Sequence, residues 1–354
     1  MQATASAHPN IALIKYWGKS DIEQNIPAVG SLSITLDGLT TTTSVCFDPG
    51  LEKDEFFLGG ETAPKFAGRV TSCLDLVREH AGVRTRARVE SDNDFPTAAG
   101  LASSASGFAA LITAADAALS AAIPRVELAD LARRASGSAA RSLFGGFVEL
   151  RLTPDGSNPT ETRQILKPTD WPLRVVVAVT ETGPKEIGST EGMVRTERTS
   201  PYYADWVNSS EEDLAEARAA IERRDFEVLA EVSESSCLKM HAVMLSARPG
   251  LVYWNGATVE CIRKVRKLRA DGVPVFFTVD AGPQVKAVCA PEAFDRVAAE
   301  LAAVEGVSQV LASEGPRGSL GVSTESRKRA ERLLAFALAA EYLLLRERLG
   351  MGVK

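Results

Sequence analysis

The sequence predicts an α/β (α+β) protein built as two closely joined lobes, and three observations carry that expectation. Its 354 residues exceed what one hydrophobic core usually organises and suit two. Short β-branched or alternating segments are interspersed with longer stretches of helical periodicity. A polar stretch from Thr153 to Asp170, interrupted by Pro154, Pro159 and Pro168, stands between two such groups and sets the lobe boundary near residue 170. The expected lobes are 1–170 and 171–354.

In the first lobe, Ile11–Trp17 reads as an apolar strand and Thr40–Phe47 as a β-branched one, while Arg84–Glu90 alternates with the two-residue period of a half-buried strand. Lys65–His80 has helical spacing, Phe108–Ala121 is an Ala-rich buried helix, and Pro124 fits the first turn of a helix ending near Arg134. Phe147–Leu152 returns to strand. The second lobe opens with strand Leu173–Thr180. Ser209 followed by Glu212 forms a capping-box pattern for a helix through Glu231, with Asp213 adding negative charge near its start, and a second helix covers Ser233–Ala247. A basic helix, Thr258–Arg269, stops at Asp271-Gly272, and strand Val273–Val279 delivers Asp280 at its end. Strand Gln284–Cys289, helix Pro291–Val304, strand Gln309–Leu311 and helix Glu325–Leu349 complete the pattern.

Composition bounds the function. Hydrophobic residues make up 45% and charged ones 24%, ordinary values for a folded chain. The net charge of −6 argues against nucleic acid as a partner and requires any phosphate-rich ligand to be held by a local basic pocket. The five cysteines form no C-x-x-C pair and the three histidines stand far apart, so free thiols and no structural zinc are expected. No apolar run has membrane-spanning length and the N-terminus lacks a leader pattern, which makes a cytoplasmic location the expectation.

Four segments carry chemistry. Phe95–Gly107 joins a strand to the Ala-rich helix, and its small residues let backbone N–H groups and Ser hydroxyls approach a phosphate at a helix N-terminus. It lacks the Lys of a Walker loop, and a tight turn before a closely packed helix is the competing reading. Lys15 and Lys19 end an apolar strand, where two ammonium groups point to a bound anion. Arg141 is the only charge in a small-residue segment, Ala135–Gly146, and its fork suits a carboxylate or phosphate. Asp280 sits between a buried strand and a Gly-Pro turn, placed either to cap that turn or to act on a substrate hydroxyl.

Taken together and in this order, Pro9–Lys19, Phe95–Gly107, Gly137–Gly146, the Lys185–Met193 run and Asp280-Ala281-Gly282-Pro283 resemble the mevalonate diphosphate decarboxylases, a branch of the GHMP kinase superfamily. The resemblance implies the GHMP kinase fold: an N-terminal ribosomal-protein-S5-like lobe, a ferredoxin-like C-terminal lobe, and a deep cleft between them. It implies ATP and Mg2+ as cofactors, with the metal held through ATP phosphates, and mevalonate 5-diphosphate as substrate. The implied reaction phosphorylates the 3-hydroxyl and then expels phosphate with CO2 to leave isopentenyl diphosphate. By motif match, Asp280, Lys15 and Arg141 are catalytic; Asn10, Tyr16, Lys19, Arg69 and Ser138 bind substrate; and Pro96, Gly100, Leu101, Ser103, Ser104, Ser106, Gly107 and Ser189 bind ATP. The family is commonly dimeric. One departure stands out: Val29-Gly30 occupies a place where typical members carry Asn-Ser, which removes two polar side chains from a loop expected to touch substrate. Relatives that take mevalonate 5-phosphate, or that phosphorylate without decarboxylating, are the alternatives.

Overall fold

The computed structural model describes residues 1–95, 103–153, 158–183, 186–313 and 321–322. Strands Gln2–Ala7, Thr41–Phe47 and Ala87–Asn93 run side by side and antiparallel; Glu55–Leu58 pairs in parallel beyond the third, and Gly321–Val322 pairs with the first. Alternation explains the face they bury: Thr41, Thr43, Val45 and Phe47 point inward, and the residues between them do not. Helices Pro64–Ala81, Ser103–Leu119 and Arg125–Ala135 cover that face, and Ala109, Ala110, Ala114 and Ala115 are fully buried, small enough to let their helix lie close on the sheet.

A second antiparallel sheet runs in the order Thr160–Leu166, Phe147–Leu152, Ser31–Thr35 and Asn10–Ile14. The third belongs to the other lobe, in the order Val275–Val279, Val285–Cys289, Arg174–Val179 and Gln309–Ser313. Within that lobe this is the second, third, first and fourth strand, the ferredoxin-like arrangement, with helices Gly256–Ala270 and Phe294–Ala302 on one face. Leu214, Ala217, Ile221 and Leu229 of helices Tyr203–Arg223 and Phe226–Leu245 fill a core shared by both lobes. They pack against Leu32, Ile34 and Phe147 on one side and Val175, Val177 and Phe276 on the other. Burying these aliphatic and aromatic side chains contributes about 1.5–3 kcal/mol each and fixes the two lobes against one another.

Three expectations need correction. The polar stretch after Thr153 contains the edge strand Thr160–Leu166, stabilised on Phe147–Leu152 by the cross-strand ion pairs Arg151–Glu161 and Arg163–Glu149. Ser209 does not open a helix. The helix begins at Tyr203, because Trp206, Ser210, Leu214, Ala217 and Ile221 make one continuous buried stripe. That helix ends at Arg224, whose φ of 57° closes it, and Asp225 caps the next one by accepting from Val228 N–H at 3.2 Å, so helix Phe226–Leu245 starts seven residues before Ser233. Helix Glu325–Leu349 lies outside the described residues. Val29-Gly30 belongs to the interior: Val29 packs with Trp17 and Trp206, and a Cβ on Gly30 would stand 2.5 Å from Leu214.

Candidate active site

A cleft of about 1080 Å³ is lined by Asn10, Lys15, Tyr16, Lys19 and Arg141 of the N-terminal lobe and by Ser189, Thr190 and Asp280 from the other side. Two strand ends meet at its floor. Strand Asn10–Ile14 is buried throughout, and the chain then turns so that Lys15 N–H donates to Ser236 Oγ at 3.0 Å. Lys15 Nζ donates to Ala12 O at 3.0 Å and to Asp280 Oδ1 at 2.6 Å. Asp280 ends the fully buried strand Val275–Val279, with its side chain 29% exposed toward the cleft. The turn that follows is clamped: Gly282 N–H donates to Asp280 O at 2.7 Å, and Thr258 and Thr180 hydroxyls donate to Pro283 O at 2.6 and 3.0 Å.

A residue not singled out from the sequence completes this cluster. Lys286 Nζ lies 3.2 Å from Asp280 Oδ2, with 1% of its side chain exposed. Burial by itself would raise the Asp280 pKa, but Lys15 and then Lys286 outweigh it and hold the carboxyl well below the usual carboxylate range. Burial lowers the Lys286 pKa, and Asp280 opposes that shift. The available signal was a lone charge inside an otherwise apolar strand, Val285-Lys286-Ala287-Val288-Cys289.

Arg141 lies in the short 3-10 turn Ala139–Leu143 and is 2% exposed. Its guanidinium donates to Ser31 Oγ at 2.6 Å and Ser33 Oγ at 3.1 Å, and no ion pair joins it to a carboxylate among the described residues. Burial pushes its pKa down to about 10, against the opposing pull of Tyr16 and Asp280, so the group stays cationic at neutral pH. Beside it, Asn10 Nδ2 donates to Ser138 O at 3.0 Å and Ser142 Oγ at 2.8 Å; Asn10 Oδ1 is buried without a hydrogen-bond partner. The Tyr16 phenol oxygen is likewise buried and unpartnered, and burial raises its pKa to about 12 despite nearby Arg141 and Arg133. Its ring lies over Gly137, where a Cβ would come within 2.8 Å of the phenol oxygen. Lys19 reaches Thr190 Oγ1 at 3.4 Å across the cleft, and burial and then Arg69 lower its pKa. Arg69 donates to Ala135 O at 3.2 Å and stands 4.6 Å over the Phe108 ring.

Ser103 and Ser104 open helix Ser103–Leu119, whose first turn has no acidic residue, and they line both the cleft and an adjoining pocket of about 110 Å³ walled by Phe56, Leu58, Val70 and Phe108. Gly107 lines the smaller pocket only. Ser106 is not brought to the cleft: it is fully buried and shares a 2.6 Å hydrogen bond with Thr41 Oγ1. Pro96, Gly100 and Leu101 lie outside the described residues. Ser189 begins helix Ser189–Thr199 on the facing wall. Among the described residues no group of three His, Cys, Asp or Glu side chains could hold a metal ion. The donor set of Lys, Arg, Ser and helix N-termini fits polyphosphate. No helix among the described residues is long and apolar enough to cross a membrane.

Comparison with known proteins shows the family to which this fold belongs. Residues 7–160 match the diphosphomevalonate decarboxylase-like N-terminal domain and residues 175–325 the mevalonate 5-diphosphate decarboxylase C-terminal domain. The diphosphomevalonate decarboxylase of Candida albicans is 37% identical over 298 residues, covering 79% of this chain and 82% of that protein. The phosphomevalonate decarboxylase of Haloferax volcanii is 35% identical over 305 residues, covering 84% and 91%. A solved structure, MDDEF in complex with MVAPP, AMPPCP and magnesium, superposes with a TM-score of 0.84 at 37% identity, covering 91% of this chain and 99% of that one. With both family domains matched in order around a cleft that joins Lys15, Arg141 and Asp280, the chain belongs to the mevalonate diphosphate decarboxylase family.

Proposed function

We propose that the cleft orients mevalonate 5-diphosphate with its 3-hydroxyl at Asp280, its C1 carboxylate at Arg141 and Asn10, and its diphosphate along Tyr16, Lys19, Ser138 and Arg69. The reaction is ATP-dependent decarboxylation of mevalonate 5-diphosphate to isopentenyl diphosphate, ADP, phosphate and CO2. The observation that carries this assignment of roles is the 2.6 Å contact between Lys15 and Asp280, formed by strand ends 265 residues apart at the floor of a cationic cleft.

ATP phosphates are assigned to Ser103, Ser104 and the helix end they open, with Ser189 closing from the other wall. The adjoining apolar pocket beside Ser103 suits a purine ring. Pro96, Gly100, Leu101, Ser106 and Gly107 complete the loop by family resemblance. Bound Mg2+ supplies further neutralisation of phosphate charge. Asp280 is ionised at neutral pH, so it accepts a hydrogen bond from the 3-hydroxyl, aligns that oxygen, and takes its proton as the new O–P bond forms and the bond from the γ-phosphorus to the bridging oxygen breaks, releasing ADP. A tertiary alcohol is a weak nucleophile, and alignment is the larger gain. Lys15 stands where charge accumulates on the transferred phosphoryl group and favours its later departure.

In the second step the C3–O bond breaks toward phosphate while the C1–C2 electrons become the C2–C3 double bond. The carboxylate loses its charge as CO2, so a tightly held carboxylate would stabilise the ground state more than the transition state. Arg141 avoids this by sharing its guanidinium donors with Ser31 and Ser33. The interior position of Val29-Gly30 takes the missing Asn-Ser pair out of the cleft lining and leaves Lys19 and Arg69 as the diphosphate cations. Family resemblance also supports a cytoplasmic homodimer and lobes divided near residue 170.

The test is incubation with MgATP and either mevalonate 5-diphosphate or mevalonate 5-phosphate, with products identified by mass. Isopentenyl diphosphate from the diphosphate is the expected product; isopentenyl phosphate from the monophosphate alone, or an accumulating 3-phosphate, would reassign the substrate or the reaction. Asp280→Asn should bind ATP normally and lose at least ~1,000-fold in kcat.

A further inference from the structure

We propose that Lys286 is a positioning residue for the phosphoryl-transfer step: its ammonium fixes Oδ2 of Asp280 while Lys15 fixes Oδ1, so the carboxylate meets the substrate hydroxyl in a single orientation. The inference rests on the assignment of Asp280 to the 3-hydroxyl. Three observations support it.

The first is cost. A lysine inside a fully buried five-residue strand is among the least favourable placements in a protein core, and an ion pair there seldom repays the loss of water. A methionine or leucine would serve the fold at least as well. The second is geometry. Lys15 approaches Oδ1 from the end of the first-lobe strand at 2.6 Å, and Lys286 approaches Oδ2 at 3.2 Å from the strand paired with Val275–Val279. One cation alone would leave the carboxylate free to rotate about the Cβ–Cγ bond; two cations on opposite oxygens remove that freedom. The third is division of labour. Lys15 and Asp280 both line the cleft and Lys286 does not, so Lys286 touches neither substrate nor ATP and acts only through Asp280.

The charged and titratable groups around Asp280 are Lys15 on the first lobe, Lys286 on its own sheet, Cys237 and His241 on the helix beneath, and Arg141 across the cleft. Burial holds His241 neutral at working pH and keeps Cys237 a thiol, so neither competes for the carboxylate. Lys286 also contributes, after Lys15, to holding the Asp280 carboxyl below its ordinary range. Its removal should therefore show in the acidic limb of the pH–rate profile, which a purely structural role would leave in place.

The experiment compares wild type, Asp280→Asn, Lys286→Gln and Lys286→Arg with MgATP and mevalonate 5-diphosphate, measuring kcat, KM for ATP and the pH dependence of kcat. Lys286→Gln should lose ~10- to 100-fold in kcat, keep KM for ATP within about twofold, and move the acidic limb to higher pH, with partial recovery in Lys286→Arg. An unchanged kcat and acidic limb in Lys286→Gln would overturn the proposal. Substantial turnover by Asp280→Asn would instead overturn the underlying role of Asp280, so the two failures are distinct. Should Lys286→Gln not fold, carboxyl-carbon NMR of Asp280 in Lys15→Met decides: a titration at or below the ordinary aspartate range supports Lys286 as the second anchor, because burial alone would raise it, and a titration above that range refutes it.

Discussion

Replacing Arg141 with methionine should leave the unliganded protein as stable as wild type, or more stable by up to about 2 kcal/mol, while removing most activity. The magnitude follows from what surrounds the guanidinium. It is 2% exposed, it donates to two serine hydroxyls, and it forms no ion pair among the described residues. Burying a charge costs several kcal/mol even after relaxation. The two hydrogen bonds to a charged donor return roughly 1.5–3 kcal/mol each, which brings the net close to zero before any gain from the methionine side chain. A substrate carboxylate would supply the missing counter-charge. Wild type should therefore gain about 2.7 kcal/mol of apparent stability at a ligand concentration 100 times Kd, and Arg141→Met should gain almost none at the same concentration. Denaturant unfolding with and without mevalonate 5-diphosphate, together with kcat/KM, makes the comparison. A loss of about 3 kcal/mol or more in the unliganded variant would show that Arg141 is a structural cation and refute the reasoning.

Two further perturbations separate packing from electrostatics. His241 is buried against Val279 O and Trp254 Nε1, and burial pushes its pKa down to about 3. A base with a lowered folded pKa binds its proton preferentially in the unfolded chain. Its contribution is thus fully present above pH ~6.5 and is lost as pH falls from there toward about 3. His241→Gln can retain one donor and one acceptor without titrating; between pH 6.5 and 5 wild type should lose about 2 kcal/mol relative to this variant in urea midpoints, and parallel curves would contradict the assigned burial. Gly137→Ala would drive a methyl group into the Tyr16 ring, which has to move. A rise in KM for mevalonate 5-diphosphate of roughly tenfold, with KM for ATP unchanged, is expected, and unaltered kinetics would remove Tyr16 from the substrate wall.

Where one segment's pattern agreed with its tertiary surroundings, the sequence could be read closely. Phe147–Leu152 is a strand with the expected ends, and Asp280 stands at the end of a buried strand as its flanking residues imply. Reading failed where long-range packing overruled a local signal. Ser209 and Glu212 have capping spacing, yet the buried stripe from Trp206 to Ile221 runs straight through them. Thr160–Leu166 looked like a linker because it lies in a polar stretch interrupted by three prolines, and its pairing with Phe147–Leu152 rests on a long-range register and on ion pairs that no local pattern announces. Ser106 shares its sequence neighbourhood with Ser103 and Ser104, but one helical turn carries it from the cleft to a hydrogen bond with Thr41.

The site shows the same limit from another direction. Lys15, Arg141 and Asp280 were visible because each is a charge in an unsuitable place, at a strand end or in a small-residue run. Lys286 met that criterion equally, and what hid it was the absence of any sequence sign that its strand pairs with the one ending at Asp280. Once paired, the balance of charge becomes informative: Lys15, Lys286 and Arg141 surround a single carboxylate in a protein whose net charge is −6. Global charge cannot draw an anion to this cleft, and a fold selected only for stability would not gather three buried cations around one aspartate. Under the proposed assignment, that excess of positive charge would be met by the substrate carboxylate and the transferring phosphoryl group, whose simultaneous presence is what the two-step reaction requires.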